Sequence, residues 1–338
     1  MNADSGFLWE KLPPEIFEKI ELGQGVDEIE KGGGTRRFFR VRASGKPAIL
    51  CFYDDSKTEN FLYADLARFL RKIDVPAPEV FFHDAGARVL VMQDCGSADL
   101  WTLRQNASSE TATAYRSALA EIAKLHRDGL TNLGETEIMR DGFNADYYKW
   151  EREYFLVNAA KEGHKLCITG NARADLEAEL SALANRILAL PPQLVHRDFQ
   201  SQNILWRDGR ARFIDFQGMR VGTGFYDVAS LLFDSYVEID DSERAELFDF
   251  YCEQIGVCEN EKTSAEKAFL DAAAQRLMQA IGAYFFLSAK MGKPQFRKFA
   301  LPALENLKTV AKCAGTLPWL AMLATELCAR ERRFRAVR

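Results

Sequence analysis

The sequence predicts an α+β fold in two lobes, a small β-rich lobe followed by a larger helical lobe. Three observations predict it. The 338 residues suggest two domains or lobes rather than one. Up to about residue 95, short apolar runs alternate with glycine turns, as in strands, whereas beyond "CGSADL" long segments carry apolar residues at helical spacing. We therefore place the N-lobe at residues 1–95 and the C-lobe at residues 96–338, and expect a ligand in the cleft between them.

Composition excludes several classes of protein. Hydrophobic residues make up 47% and charged residues 28%, which supports a large core. The net charge of −5 and the scattered Lys and Arg argue against a nucleic-acid partner, and the basic end "RERRFRAVR" is more typical of a solvated helix tip than of a binding arm.

Seven cysteines without a CxxC pair argue against structural zinc or disulfides and favour a reducing compartment. The chain shows no signal-peptide pattern and no apolar run of about 18 residues, so we expect a cytoplasmic protein with no membrane partner; the oligomeric state is left open.

The N-terminal segment is expected to form strands and two helices. "PPEIFEKIEL" predicts a short helix, and "TENFLYADLARFLRKI" predicts a longer one with its apolar residues on one face. The predicted strands are "VDEIEK", "RRFFRVRAS", "KPAILCFYD" and a hairpin in "PAPEVFFHDAGARVLVMQD" that turns at residues 84–86.

The C-terminal half is expected to be mostly helical. The predicted helices are "TATAYRSALAEIAKLHRDG", "NADYYKWEREYFLVNAAKEG", "ARADLEAELSALANRILAL", "YDVASLLFDSYV", "AELFDFYCEQIG", "EKAFLDAAAQRLMQAIGAYFFLSAKMG" and "LPWLAMLATELCARERRF". Between the third and fourth of them, "ILWR" and "ARFIDF" predict two short strands on either side of an Asp-Gly turn.

The strongest chemical signal is "LVHRDFQSQNILWRDGRARFIDFQ", residues 194–217. It places Asp198, Asn203 and Asp215 in an apolar neighbourhood. Phosphoryl transfer needs a carboxylate near the attacking hydroxyl and hard oxygen ligands for magnesium, and these three side chains supply both. The interval His-Arg-Asp-(four residues)-Asn matches the protein-kinase catalytic loop, and Ile-Asp-Phe-Gln takes the place of Asp-Phe-Gly. Taken alone, each of these residues could equally be a helix cap or a structural loop contact. Together, at this spacing, they indicate a kinase-type site.

A glycine cluster lies upstream, in "EKGGGTRRFFRV". Gly32, Gly33 and Gly34, followed by Thr35, would let backbone N–H groups approach phosphate oxygens closely. Hairpins use glycine routinely, so the cluster by itself is a weak indication, and no Walker motif occurs in the chain. A kinase fold expects a phosphate-covering hairpin at this position.

These segments resemble the aminoglycoside phosphotransferase-like family of small-molecule kinases, whose fold is similar to that of protein kinases. "LVHRDFQSQNIL", "FIDFQ" and "FYDVASLL" carry the resemblance. "RRFFRV", "AIL" before an acidic linker and "GAYFFLSAKMGKPQF" are most similar to the bacterial anomeric kinases of N-acetylmuramate and N-acetylglucosamine. The likeness covers most of residues 30–300. It implies a bilobal protein-kinase-like fold, ATP and magnesium as cofactors, and a free sugar as substrate.

The resemblance also implies roles for individual residues. Asp198 would orient and deprotonate the acceptor hydroxyl, and Asn203 and Asp215 would hold magnesium against the phosphates. His196, Arg197 and Asp227 would support the catalytic loop.

The nucleotide side of the site shows a departure from protein kinases. Cys51 occupies the position of the lysine that grips the phosphates, so the role of Glu59, which would pair with that lysine, is open. Arg36 and Arg37 are our candidates for meeting the phosphate charge, with ordinary strand-edge arginines as the alternative.

The edge of the adenine base of ATP is expected to bind at the end of the last N-lobe strand. There the resemblance implies that backbone groups of Met92, Gln93 and Asp94 bond the base.

The acceptor side is less defined. Gln200 and Gln202 could bond a sugar or the loop itself, and Ser201 between them is expected to be solvent-facing or local. Glu151 could contact a sugar from a helix face shared with Tyr147 and Trp150, although a solvated helix with a core aromatic stripe explains that pattern as well.

Three functions are compatible with these observations. The first is an ATP-dependent kinase of a free sugar, acting on the anomeric hydroxyl of an N-acetylhexosamine or N-acetylmuramate in cell-wall sugar recycling. The second is an aminoglycoside phosphotransferase, which would need a dense acidic cleft; the short run Asp240, Asp241 and Glu243 is more typical of a helix start. The third is a nucleotide-binding pseudokinase, favoured by the missing lysine and opposed by the retention of Asp198, Asn203 and Asp215 together.

Overall fold

The first part of the chain builds an antiparallel sheet. The structure, a computed structural model, describes residues 12–18, 20–21, 27–29, 35–133 and 142–336. Within these residues the sheet has six strands in the order β1-β3-β4-β6-β5, with β2 paired to β3. In chain order the elements are α1 (Pro14–Phe17), β1 (Ile20–Glu21), β2 (Asp27–Ile29), β3 (Arg37–Ala43), β4 (Lys46–Phe52), α2 (Tyr63–Lys72), β5 (Val80–Asp84) and β6 (Val89–Gln93).

The centre of the sheet is the β3–β4 hairpin, which turns where Ala43 pairs with Lys46. Ser44 and Gly45 both have positive φ, 48° and 77°, which allows so tight a turn between twisted strands. The helix predicted over residues 13–22 is shorter than expected. It ends at Phe17, because residues 20–21 pair with β3 instead of continuing the helix.

Helix α2 covers one face of the sheet and follows a 3₁₀ turn over Thr58–Leu62. Leu66, Phe69 and Leu70 are buried, and Phe61 and Leu62 pack partly buried against the same core. The helical spacing of these apolar residues in the sequence therefore identifies the buried face correctly.

The rest of the chain is mostly helical. Its helices are α3 (Leu100–Gln105), α4 (Thr111–Leu133), α5 (Ala145–Phe155), α6 (Gly170–Leu188), α7 (Gly224–Leu232), α8 (Asp241–Ile255), α9 (Lys262–Ala289), α10 (Ala300–Ala314) and α11 (Pro318–Ala336). Helix α5 continues as a π-helix over Leu156–Gly163. Among the described residues, none of these helices combines the length and the apolar character that a membrane span needs.

Two short β-ribbons interrupt the helices and carry the polar motif. Strand β7 (Gln193–Val195) pairs with β10 (Arg220–Gly222), and β8 (Ile204–Arg207) pairs with β9 (Arg210–Phe213). The N–H of Trp206 donates to the carbonyl of Ala98, and the N–H of Phe213 donates to the carbonyl of Pro76, both at 2.7 Å. These bonds attach the β8–β9 ribbon to the connection after β6 and to the segment between α2 and β5. The polar loops therefore lie where the sheet and the helices meet.

Candidate active site

The predicted catalytic loop, residues 196–203 between β7 and β8, is held in place by a buried carboxylate. Asp227 on α7 is fully buried and accepts the backbone N–H groups of His196 at 2.6 Å and Arg197 at 2.7 Å. His126 Nε2 lies 3.1 Å from the same carboxylate. Arg197 has φ 78°, a left-handed conformation that costs a non-glycine residue free energy. The charge-assisted bonds to Asp227 offset this cost, which accords with the supporting role expected for Asp227.

Asp198 presents a partly exposed carboxylate. About 38% of its side chain is exposed, and within the described part of the chain the carboxylate makes no hydrogen bond. The cation nearest to it there is Arg276, whose Nη2 lies 3.8 Å from Asp198 Oδ1. The carboxylate is therefore available to accept a hydrogen bond from an incoming hydroxyl.

Asn203 joins the catalytic loop to the loop that follows β9. Its Nδ2 donates to the backbone carbonyl of Asp198 at 2.9 Å, and its own carbonyl accepts the N–H of Ile214 at 3.0 Å. Because the side-chain amide nitrogen is directed at Asp198, the side-chain oxygen is the atom that remains for a cation.

Asp215 lies directly after Ile214 and has φ 66°, another left-handed residue. Its Oδ1 accepts hydrogen bonds from Arg36 and from Gln217 Nε2, the latter at 2.7 Å. The next residue, Phe216, is buried and stacks on Tyr63 of α2 with ring centroids 4.5 Å apart. The packed ring fixes the loop against the N-terminal part of the chain and leaves the carboxylate at 34% exposure.

His196 braces the two loops. Its Nε2 donates to the backbone carbonyl of Ile214 at 3.1 Å, and the ring is buried. Burial lowers the pKa of His196, although the neighbouring carboxylates of Asp227, Asp198 and Asp215 oppose this effect. A neutral ring that bonds a carbonyl fits the expected support and not proton transfer.

The donors at this site fit magnesium. The carboxylate of Asp215 and the side-chain oxygen of Asn203 are hard oxygen ligands on two adjoining loops that are bonded to each other. When bound there, magnesium would neutralise charge on the phosphates.

Arg36 and Arg37 are adjacent in sequence but serve different partners. Arg36 pairs with Asp215, whereas Arg37 forms a bidentate pair with Glu28 of β2, at 2.8 and 2.9 Å. Cys51 is buried on β4, and burial raises the pKa of its thiol to about 12 despite the opposing effect of Arg36. The thiol is therefore neutral, and of these three residues Arg36 is the cation that lies beside Asp215.

Glu59 has a role that the sequence left open. Its Oε1 lies 3.5 Å from Arg197 Nη1 and 3.5 Å from Arg220 Nη2. It therefore pairs with arginines of the C-terminal part. Arg220 also lies over the ring of Tyr147, 4.4 Å from its centroid.

The predicted adenine contacts lie at the end of β6, where Met92 is buried. The N–H of Gln93 donates to the carbonyl of Glu79 at 2.8 Å, and the N–H of Asp94 donates to the carbonyl of Pro47 at 3.4 Å. Because both N–H groups are already bonded, a base would have to replace these bonds or use other backbone groups of the segment. Asp94 Oδ2 accepts a bond from Arg40 at 3.0 Å.

The glycine cluster Gly32, Gly33 and Gly34 lies outside the described residues. Thr35 is exposed, with its hydroxyl 3.4 Å from that of Ser56.

The segment between Asp198 and Asn203 alternates in exposure. Gln200 and Gln202 are partly exposed. Ser201 is fully buried, and both its N–H and its hydroxyl donate to Asp234 Oδ2, at 2.8 and 2.5 Å. The expectation of a solvent-facing Ser201 is therefore wrong; the residue anchors the loop from within.

Glu151 is not placed as the sequence suggested. It is fully buried and accepts bonds from the Tyr226 hydroxyl and from Gln275 Nε2, both at 2.9 Å. Burial raises its pKa to about 7, although the two hydrogen bonds oppose this effect. Direct contact with a sugar is at odds with this placement. Trp150 beside it is 50% exposed, so the two residues face opposite environments.

The sequence reasoning did not single out Arg276, whose Nη2 lies 3.8 Å from Asp198 Oδ1. It lies in "AAAQRLMQAIG", within a predicted helix in which most of its neighbours are apolar. A single arginine in such a surrounding needs a charged partner, and that signal was present in the sequence.

Comparisons with known proteins identify an enzyme family. The sequence profile of the phosphotransferase enzyme family (APH) matches residues 25–269. The N-acetylmuramate/N-acetylglucosamine kinase of Neisseria meningitidis serogroup B is 26% identical over 307 residues, 88% of each chain. The enzyme of the same name from Pseudomonas putida is 22% identical over 269 residues, 77% of this chain and 76% of that protein.

Solved structures show the same fold. A choline/ethanolamine kinase family protein from Mesorhizobium loti superposes with a TM-score of 0.63 at 18% identity, covering 95% of this chain and 100% of that one. The ADP-bound aminoglycoside phosphotransferase APH(2'')-Ib gives 0.57 at 16% identity, covering 91% and 99%. The predicted bilobal, protein-kinase-like α+β fold is confirmed. Because the family profile covers well over half of its length, the chain belongs to the APH phosphotransferase enzyme family.

Proposed function

We propose that the protein is an ATP-dependent sugar kinase that phosphorylates the anomeric hydroxyl of N-acetylmuramate or N-acetylglucosamine. One observation carries the proposal. Asp198, Asn203 and Asp215 lie on two loops that bond each other, and the Asp198 carboxylate is partly exposed and free of hydrogen bonds to the described residues. The names of the two relatives support the choice of sugar.

The reaction follows from this arrangement. Asp198 accepts a hydrogen bond from the acceptor hydroxyl and takes its proton as the sugar oxygen bonds to the γ-phosphorus of ATP. The bond between the γ-phosphorus and the bridging oxygen breaks, and ADP leaves. An anomeric hydroxyl is more acidic than an ordinary alcohol, so a carboxylate is a sufficient base. Arg36 lies beside Asp215 and would meet phosphate charge in place of the missing lysine.

Phosphorylation of an aminoglycoside is the less favoured alternative. The acidic run that could have formed a cleft wall is the start of α8. Asp240 accepts the N–H of Glu243 at 2.8 Å as the helix cap, and Glu243 is itself paired with Arg104. Asp240 and Glu243 are therefore already engaged, which disfavours the run as the wall of an acidic cleft.

The product identifies the function. Wild-type protein with ATP and magnesium is offered N-acetylmuramate, N-acetylglucosamine, glucose, choline and kanamycin, and products are read by phosphorus NMR. We expect a sugar 1-phosphate from the N-acetylated sugars, recognised by the coupling of phosphorus to the anomeric proton. Phosphorylation of kanamycin or choline instead, or no consumption of ATP with any acceptor, would refute the proposal.

A cytoplasmic location and a role in cell-wall sugar recycling belong to the same proposal.

A further inference from the structure

Arg276 is a buried charge in the middle of α9. Only 6% of the residue is exposed, and most of its helical neighbours are apolar. A buried guanidinium is costly unless hydrogen bonds and opposite charges compensate it, so its partners indicate why it is there.

The guanidinium uses each of its nitrogens. Nε donates to the Ser230 hydroxyl at 3.1 Å, and Nη1 donates to Gln279 Oε1 at 2.6 Å. Nη2 lies 3.8 Å from Asp198 Oδ1. The first two bonds fix the plane of the group, and the third nitrogen is directed at the catalytic loop.

The positive charge of Arg276 also acts on two further buried carboxylates. Burial raises the pKa of Glu151 and of Asp234, and Arg276 acts in the opposite direction on both. Asp234 holds the N–H and the hydroxyl of Ser201, which lies within the catalytic loop. The charge of Arg276 therefore favours the ionised form of the carboxylate that anchors the loop, while its direct contact with the loop is the one to Asp198.

We propose that Arg276 is a positioning residue for phosphoryl transfer, which holds the Asp198 carboxylate toward the acceptor. The inference rests on Asp198 being the base of the proposed function. Arg276 lies beyond residues 25–269, the segment that the family profile matches, so the family motif does not include it.

The first test separates positioning from folding. In Arg276→Met we expect kcat to fall about 100-fold with KM for ATP within about twofold, because the nucleotide side is untouched. Arg276→Lys should recover part of kcat, since it keeps a charge without the planar fork. A kcat within twofold of wild type in folded Arg276→Met, or a loss confined to KM for ATP, would overturn the inference.

A matched control removes another arginine that contacts α9. Arg186 pairs with Asp271 of that helix through two bonds of 2.7 and 2.8 Å, and among the described residues no hydrogen bond or ion pair joins either of them to the catalytic loop. Arg186→Met should lower the melting temperature and leave kcat unchanged. If it lowered kcat as much as Arg276→Met, the effect would belong to the helix and not to Arg276.

A second test does not depend on knowing the acceptor. Melting temperatures are compared for wild type, Arg276→Met, Asp198→Asn and the double variant. We expect removal of Arg276 to cost less when Asp198 is already neutral, so the shifts should not add. Additive shifts would overturn the Arg276–Asp198 contact whatever the acceptor, whereas failure of the sugar panel with non-additive shifts would refute the substrate alone.

Discussion

At the scale of single residues, two adjacent arginines have different environments. Arg36 precedes β3 and pairs with Asp215, 179 positions away, whereas Arg37 begins β3 and pairs with Glu28 on the neighbouring strand. The side chains of successive residues in an extended chain point in opposite directions, so only one of the two arginines can face Asp215. The sequence offered both as phosphate ligands, and because of its contact with Asp215 we propose Arg36.

We therefore expect the single substitutions to differ. Arg36→Met should raise KM for ATP by roughly tenfold or more, because a charge-assisted contact to phosphate is worth about 1.5–3 kcal/mol. Arg37→Met, the matched control on the next residue, should leave KM for ATP within about twofold. Steady-state kinetics with varied ATP measure both, and equal effects of the two variants would exclude the assignment.

At the scale of elements, helix α7 holds the catalytic loop in an unfavourable conformation. Asp227 accepts two backbone N–H groups of the loop, one of them from left-handed Arg197, and it also contacts His126. Fully buried carboxylates with several charge-assisted bonds are expensive to alter.

Asp227→Asn should therefore weaken both stability and turnover. The amide has one acceptor oxygen where the carboxylate has two, so a buried donor is left without a partner. We expect a loss of about 3–5 kcal/mol in the free energy of unfolding and a fall of about 100-fold in kcat, measured by urea unfolding and by kinetics at low temperature. Asp241→Asn, at an exposed pair with Arg244, is the control and should change stability by less than about 0.5 kcal/mol. Wild-type kcat in folded Asp227→Asn would show that the loop does not need this support.

The loops themselves could be predicted from the sequence, but their surroundings could not. Asp198, Asn203 and Asp215 lie within 18 positions of one another, and their spacing encodes the two loops directly. Contacts such as Arg36 with Asp215, and Glu151 with Gln275, join segments more than 100 positions apart. No local pattern reports such pairings.

The fold shows the same division between local and long-range information. The strands of the β3–β4 hairpin follow from short apolar runs, and the buried face of α2 follows from apolar residues at helical spacing. The helix predicted over residues 13–22 failed in its second half, because pairing of Ile20 with Ala43 outweighs local helical preference.

At the scale of the whole molecule, the interior contains an acid that titrates near neutrality. Burial raises the pKa of Glu151 from an ordinary 4.5 to about 7. Between these two values the unfolded chain releases the proton and the folded protein keeps it. The free energy of unfolding contributed by this group therefore decreases as the pH rises from about 4.5 to about 7.

Glu151→Gln should remove this pH dependence. The amide keeps the shape and stays neutral, and Gln275, whose Oε1 has no hydrogen-bond partner among the described residues, can turn its amide to accept the new N–H. Relative to wild type, the variant should gain up to about 3 kcal/mol in the free energy of unfolding between pH 5 and pH 8. Urea unfolding at the two pH values measures the difference, and an equal stability change at both would mean that Glu151 does not titrate in this range.

The central claim is that Asp198 is the base of a phosphoryl transfer site that includes Asn203 and Asp215. The most direct measurement is kcat for N-acetylglucosamine 1-phosphate formation by Asp198→Asn, together with the Kd for magnesium–ATP by calorimetry. We predict that kcat falls by about 100- to 10,000-fold while Kd stays within about threefold. Turnover close to that of the wild type, with the same product, would contradict the claim.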